Sequence, residues 1–346
     1  MKQAYLYCDP RSLNDATRYY LSIIMSVIET NGYNCKTVYR LADIKIPDLI
    51  ITVTEKYFLK AYLRFRTKTI YWSQGVGAEE RKLTIKNCFD FKSIIGYTGR
   101  LVSEFLAINR ATIVFCVSQR QADYYSEKYG YRQNKDRLII MPCYNLRLSH
   151  EFTLDQYKKP IFTYAGNAST WQGVDFVLDV FKEIENKLPE AKLKLYTGDK
   201  DSFIAKLTQR NISNYEIDYV SLDVLQHELH KCKYGFIIRD NSIVNQVATP
   251  TKMNSYLASY IIPIFSETVG DFKENIKLGE FTIMCKHPLD AKIVANEILN
   301  FEAIPHDFNG FRGYVERVFD NHYNDERYIE KINYALSVNG FISEVK

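Results

Sequence analysis

Two segments in the second half of the chain hold the residue types that an anionic ligand needs. The first is Phe162-Thr163-Tyr164-Ala165-Gly166-Asn167-Ala168-Ser169-Thr170-Trp171-Gln172-Gly173, a strand ending in glycine, a polar loop and the start of a helix. A helix N-terminus offers unpaired N–H groups and the positive end of the peptide dipoles, so such a loop can seat a phosphate. An ordinary strand-to-helix turn reads the same way, and this segment alone does not decide. The second is Tyr234-Gly235-Phe236-Ile237-Ile238-Arg239-Asp240-Asn241-Ser242, followed by Asn245-Gln246-Val247-Ala248-Thr249-Pro250-Thr251-Lys252. A buried strand delivers Arg239 at its end, and Pro250-Thr251 opens a helix with Lys252 in its first turn. Two cations and a helix dipole would then converge where a diphosphate could lie. The alternative is that Arg239 pairs with Asp240 or another surface carboxylate.

Other motifs point elsewhere and are weaker. Asp199-Lys200-Asp201 has the spacing of a metal-and-diphosphate motif, but it heads a predicted helix and is expected to cap it. His227-Glu228-Leu229-His230 with Cys232 has its histidines three apart, not the four of a zinc protease helix, and reads as a solvated helix face. The seven cysteines (Cys8, Cys35, Cys88, Cys116, Cys143, Cys232 and Cys285) form no C-x-x-C pair, and runs such as Ile113-Val114-Phe115-Cys116-Val117 predict reduced, buried thiols. No metal and no cofactor are expected.

The elements that must carry these residues are short apolar runs alternating with longer amphipathic ones, the pattern of parallel sheets covered on both faces. Strands are predicted at 4–8, 49–53, 69–72, 112–117 and 138–141, with helices at 16–31, 99–109 and 119–129. After a polar stretch at 144–159 the pattern repeats, with strands at 161–164, 192–196, 217–220, 234–238 and 262–265 and helices at 173–187, 201–210, 224–230 and from 252. At 346 residues and 46% hydrophobic content, two domains are expected. They span 1–150 and 160–324, as doubly wound, Rossmann-like α/β units facing a cleft, with a helix from 325 to 346 packing back on the first. Residues 1–155 carry 23 Lys+Arg against 15 Asp+Glu, while the whole chain is only +4. This excess is too small, and too free of binding motifs, for nucleic acid.

The order Tyr-Ala-Gly-Asn-x3-Trp-Gln-Gly, then Gly-Phe-Ile-Ile-Arg-Asp-Asn-Ser-x2-Asn-x-Val-Ala-Thr-Pro-Thr-Lys-x3-Tyr-Leu-Ala, then Ile-Pro-Ile, resembles the C-terminal half of retaining GT-B glycosyltransferases of bacterial surface polysaccharide biosynthesis, the family 4-like, group 1 enzymes. The first half agrees more loosely, through Gln74-Gly75-x3-Glu79-Glu80-Arg81, Glu104, Val117-Ser118 and Met141-Pro142-Cys143. The resemblance implies a nucleotide-sugar donor, UDP- or GDP-linked, held by the second domain, a saccharide or lipid-linked saccharide acceptor, and transfer without a divalent metal. Lys252 and Arg239 would meet the charge of the leaving diphosphate. Gly166, Asn167, Gln172, Asn245, Thr249 and Thr251 would contact phosphates or sugar hydroxyls, and Gly198 and Ser221 would border the base. Ser255 and Val247 stand where the family places two acidic residues, and Asn167 and Gln172 where it often places an arginine and a lysine. Arg11, Ser12, Gln74 and Gly75 fall at the acceptor side by the same resemblance. They could equally be capping and turn residues. The departures at Ser255 and Val247 keep open a transferase-like binding subunit without turnover, and a sugar-nucleotide epimerase is a third reading.

Residues 56–68 carry five basic residues and no acid. A helix of that kind suits an anionic membrane surface, where a lipid-linked acceptor would be found, and equally a packed helix with solvated Lys and Arg. No apolar run is long enough to cross a bilayer, and the start lacks the apolar core of a secretion signal. The expected place is therefore the cytoplasm, with the inner face of the plasma membrane as the site of any peripheral contact.

Overall fold

The computed structural model describes all residues except 14, 86–90 and 343–346, so Asn14 and Cys88 lie outside the described residues. In chain order the first elements are β1 (Lys2–Tyr7), α1 (Asp15–Thr30), β2 (Tyr33–Val38), β3 (Leu49–Thr52), α2 (Glu55–Arg64), β4 (Lys68–Ser73), α3 (Gly77–Ile85), α4 (Phe91–Arg110), β5 (Ile113–Cys116), α5 (Gln119–Tyr129) and β6 (Leu138–Ile140). Then come β7 (Ile161–Ala165), α6 (Val174–Lys187), β8 (Lys192–Tyr196), α7 (Lys200–Gln209), β9 (Tyr215–Asp218), α8 (Leu222–Leu229), β10 (Tyr234–Ile237), α9 (Ile243–Gln246), α10 (Thr251–Ala258), β11 (Ile262–Ser266), α11 (Gly270–Asn275), β12 (Ile283–Cys285), α12 (Ala291–Glu302), α13 (Phe308–Asn321) and α14 (Asp325–Val338).

The chain divides into two compact units. The first comprises Met1–Cys143, Val247–Thr249 and Asn324–Lys346, and the second Tyr144–Gln246 and Pro250–Tyr323. Each holds one six-stranded sheet, ordered β2-β1-β3-β4-β5-β6 and β12-β11-β10-β7-β8-β9, and every strand pair is parallel. Within the first unit, α14 packs on α1 and β6, where Asn31 Nδ2 donates to Asn333 Oδ1 at 2.8 Å.

Burial explains which strands are visible in the sequence. β3, β5, β10 and β11 are buried at every position, as strands covered by helices on both faces must be, and they read as continuous apolar runs. The edge strand β2, Tyr33-Asn34-Cys35-Lys36-Thr37-Val38, is mostly part-exposed and mixed in composition, and it goes unread. In the second sheet the edge strand β9 lies two residues earlier than its apolar residues suggest. The described cysteines form no disulfide; Cys8, Cys116, Cys232 and Cys285 are buried, and Cys35 and Cys143 are half-buried.

The second sheet is built to bring α10 close. β10 carries Gly235, where a Cβ would lie 2.4 Å from a ring carbon of Tyr256. Only glycine lets Tyr256 cross the strand and accept a hydrogen bond from the Ala165 N–H at 3.1 Å. Overpacking a buried site costs about 1 to 3 kcal/mol. Gly235→Ala is therefore expected to lower unfolding stability by about 2 kcal/mol in urea denaturation. An unchanged midpoint would contradict the close crossing.

Candidate functional site

In the second sheet the order reverses between β7 and β10: the chain steps from β7 outward through β8 to β9, then returns to the other side of β7. Open α/β sheets bind ligands at the carboxyl ends of the strands beside such a reversal. Here those two ends carry Gly166 and Arg239.

The loop after β7 is shaped by two glycines. Gly166 has φ +149°, and a Cβ there would come within 2.8 Å of Lys252 Cε and 2.9 Å of its Nζ. Gly173, with φ +65°, would place a Cβ 2.5 Å from the Ile238 carbonyl oxygen, so the loop lies directly against the end of β10. Between them the Tyr164 hydroxyl donates to the Asn167 carbonyl at 2.8 Å, and Asn167 Oδ1 accepts from Ser169 N–H at 3.2 Å. Asp199 sits at the start of α7 without capping it. Its Oδ2 accepts from Ala168 N–H at 2.9 Å instead, which ties the loop after β7 to the start of α7.

Around this loop the two cations meet. Arg239 is 7% exposed, and its backbone N–H donates to Ser266 Oγ at the end of β11. Its Nη1 donates to Asn245 Oδ1 and its Nη2 to Gln172 Oε1, each at 3.1 Å. Lys252, in the first turn of α10, donates from Nζ to the same Gln172 oxygen at 2.6 Å and lies 4.5 Å from the centre of the Tyr164 ring. Asn245 is held by its own amide, which donates to the Trp171 and Asp240 carbonyls. Pro250 precedes α10, and no side chain caps that helix.

Among the described residues no carboxylate lies within ion-pair distance of either cation, and Asp240 is exposed without pairing with Arg239. Burial pushes the Arg239 guanidinium down to about 10. Burial and then the Arg239 charge hold the Lys252 ammonium well below the usual lysine value. Two desolvated cations sharing one neutral amide oxygen are an electrostatic debt that an anion would settle. Gly166, Gln172, Asn245, Arg239 and Lys252 are thus brought together, and Asn167 lies in the same loop.

The other expected donor residues are placed differently. Gly198 and Ser221 follow β8 and β9 on the same carboxyl edge, Ser221 as the residue before α8. Ser255 is buried, and its hydroxyl donates to the Thr251 carbonyl at 3.3 Å. Val247 and Thr249 belong to the first unit, where the Thr249 hydroxyl accepts from Cys143 N–H at 3.0 Å. Two residues escaped the sequence reading. Tyr164 looks like a core aromatic of β7 yet lies against the Lys252 ammonium. Tyr219, just after β9 and exposed, lies close to Gly198. Among the described residues no cluster of His, Cys, Asp or Glu could hold a metal ion.

In the first unit, Arg11 grips Asp9 with two hydrogen bonds, Nε to Oδ1 at 3.1 Å and Nη2 to Oδ2 at 2.8 Å, and Ser12 lies in the same turn. Gln74 Nε2 donates to Thr17 Oγ1 at 3.4 Å. The Gly75 carbonyl accepts from Ser73 Oγ and from the Tyr125 hydroxyl, each at 3.0 Å. These residues end β1 and β4 on the carboxyl edge. Deeper in this unit Glu104 is buried, accepts from the Tyr129 hydroxyl at 2.5 Å, and has its carboxyl pushed up to about 7 by that burial.

No protein-family model matches the chain, and no curated protein matches it in sequence. Solved structures do match. A sucrose-phosphate synthase from Thermosynechococcus elongatus superposes with TM-score 0.68 at 13% identity, over 99% of this chain and 98% of that one. Anabaena HepE, solved with UDP and glucose, gives 0.69 at 11%, over 98% and 100%. TarM of S. aureus, solved with fondaparinux, α-GlcNAc-glycerol and UDP, gives 0.61 at 12%, covering 84% of this chain and 55% of that one. The chain thus spans just over half the length of TarM. At such identities the likeness shows the fold, which is GT-B: two Rossmann-like units, each with a parallel sheet.

Two outcomes are expected. Lys252→Met removes a half-buried charge that has no carboxylate partner among the described residues, so the ligand-free protein should gain about 1 kcal/mol of stability. A loss of that size in denaturant titration would show that Lys252 already has its counter-charge. For Glu104 the folded carboxyl keeps its proton to about pH 7 against an ordinary 4.5, so stability falls as pH rises through that window. Glu104→Gln cannot ionise and should be more stable than the parent by about 3 kcal/mol at pH 8, with the difference vanishing near pH 4. A pH-independent difference would contradict the assignment.

Proposed function

We propose that the chain is a glycosyltransferase that moves a sugar from a nucleotide-diphosphate sugar to a saccharide or lipid-linked saccharide, with retention, in surface polysaccharide biosynthesis. The observation that carries this reading is the pair Arg239 and Lys252, converging on Gln172 Oε1 beside the uncapped start of α10 at the switch point of the second sheet. A pyrophosphate there would receive two cations and free helix N–H groups together. UDP is the first nucleotide to test, because HepE and TarM were both solved with UDP bound. GDP is the second.

In this reading the diphosphate leaves the anomeric carbon while the acceptor hydroxyl attacks on the same face. Charge grows on the leaving phosphate oxygen as the glycosidic bond lengthens, and Lys252 and Arg239 stabilise it more than they stabilise the intact donor. Gln172 and Asn245 keep the two cations aimed before the donor arrives. The reaction then needs no divalent metal, since the role of metal charge falls to these side chains. Gly198 and Ser221 border the base, with Tyr219 free to stack on it. Thr249, Thr251 and Ser255 remain expected donor contacts through backbone groups or hydroxyls, and Arg11, Ser12, Gln74 and Gly75 expected acceptor contacts.

A second reading, a binding subunit without turnover, is favoured by Ser255, whose hydroxyl is turned into its own helix. Release of nucleotide from UDP- and GDP-sugars, assayed with and without saccharide acceptors, separates the two. The transferase reading predicts acceptor-dependent release that falls by about 10²-fold or more in Lys252→Ala. Donor binding with no release under any acceptor would assign the subunit role, and undiminished release in the variant would remove Lys252 from the mechanism.

A further inference from the structure

We infer that the Gln172 side chain is a built-in competitor for the anion site: its amide oxygen holds the place of a ligand oxygen between Arg239 and Lys252, and a diphosphate binds by displacing it. The inference rests on reading the cation pair as an anion site, and adds that Gln172 leaves as the ligand arrives.

The two amides beside the cations are held in different ways. Asn245 is fully buried and bonded at both ends of its amide. Its Oδ1 accepts from Arg239 Nη1 at 3.1 Å, while its Nδ2 donates to the Trp171 carbonyl at 3.3 Å and the Asp240 carbonyl at 3.0 Å. Gln172 is part-exposed, at the last position of a single 3₁₀ turn, Thr170–Gln172. Its Oε1 accepts from Arg239 Nη2 at 3.1 Å and Lys252 Nζ at 2.6 Å, and among the described residues its Nε2 has no hydrogen bond. The two cations alone fix this side chain, so a ligand that takes the cations frees it into water, where the amide is solvated again.

The cations keep their aim without it. Asn245 still holds Arg239, and Tyr164 still holds Lys252, with its ring centre 4.5 Å from Nζ and its hydroxyl accepting from Nζ at 3.3 Å. The Gln172 oxygen therefore marks the point that both cations reach together. An amide oxygen carries a partial charge and must be shared there, whereas a diphosphate brings full negative charge and an oxygen for each cation. Both cannot occupy one point. Exchange favours the ligand, but by less than at an empty site, because internal bonds are lost as external ones form. When a diphosphate product departs, Gln172 closes on the cations again, which limits how long that product stays bound.

Calorimetric titration of the full chain with inorganic pyrophosphate and with UDP, together with stopped-flow release of UDP, tests this. Gln172→Ala removes the competitor, so both ligands should bind about fivefold or more tighter, and UDP should leave more slowly by a similar factor. Gln172→Glu has the same shape with a full charge; as a stronger competitor it should weaken both ligands by about tenfold or more. Position 172 is part-exposed in a loop, and a single cooperative thermal transition shows that each variant folds. Weaker binding or faster UDP release in Gln172→Ala overturns the inference by making Gln172 a ligand contact, and leaves the anion site standing. Unchanged affinity in Gln172→Ala overturns it as well. Binding of neither ligand by the parent or by Gln172→Ala defeats the anion reading and the inference together.

Discussion

The second unit is organised around two cations that have no anion. Arg239 and Lys252 would repel each other less on the surface, where water screens them, yet the fold brings both to one amide oxygen and pushes both toward their neutral forms. A buried charge left unmatched costs several kcal/mol. A protein carries such a cost where it serves function, and an anionic ligand is the simplest reason for a site built this way. Gln172 is the pivot: as an amide it can accept from both cations without cancelling either charge, which a glutamate would do.

The surrounding architecture follows from that requirement. The reversal of strand order between β7 and β10 leaves a gap above the sheet at which both strand ends open. Gly166 lets the Lys252 side chain lie on the loop, Gly173 lets the loop lie on β10, and Gly235 lets Tyr256 reach across to Ala165. Each is a place where backbone or ring approaches closer than a Cβ allows, and all three converge on the same few residues. The first unit repeats the sheet plan with different side chains at its strand ends: the Gln74 amide, the Ser73 and Tyr125 hydroxyls on the Gly75 carbonyl, and Arg11 paired with Asp9.

How far the sequence foretells this depends on whether the partners are local. Arg239 and Lys252 are legible because a buried strand ending in Arg and a Pro-Thr-Lys helix start each have a short-range signature. Their meeting at Gln172, 67 and 80 residues away, is a property of sheet order that no local pattern carries. Tyr164 and Tyr256 read as core aromatics, and their hydroxyls find roles only through packing. Asp199 looks like a helix cap and holds the neighbouring loop instead. The three-residue β12 and the part-exposed β2 are too short or too mixed to stand out, whereas the fully buried strands and their fold class are plain. The exposed apolar residues Ile95, Val102 and Phe105 of α4 read in the sequence only as helix, since periodicity shows that a face is apolar but not whether anything covers it.

Proton linkage gives the most direct test of the uncompensated cation pair. Calorimetric titration of UDP in buffers of differing ionisation enthalpy, between about pH 7 and 10, measures protons taken up on binding. If a diphosphate supplies the missing charge, the depressed Lys252 ammonium recovers its proton. Net uptake should then appear in the parent protein and disappear in Lys252→Met. Binding without proton uptake, or the same uptake in the variant, would show that the pair is not waiting for an anion.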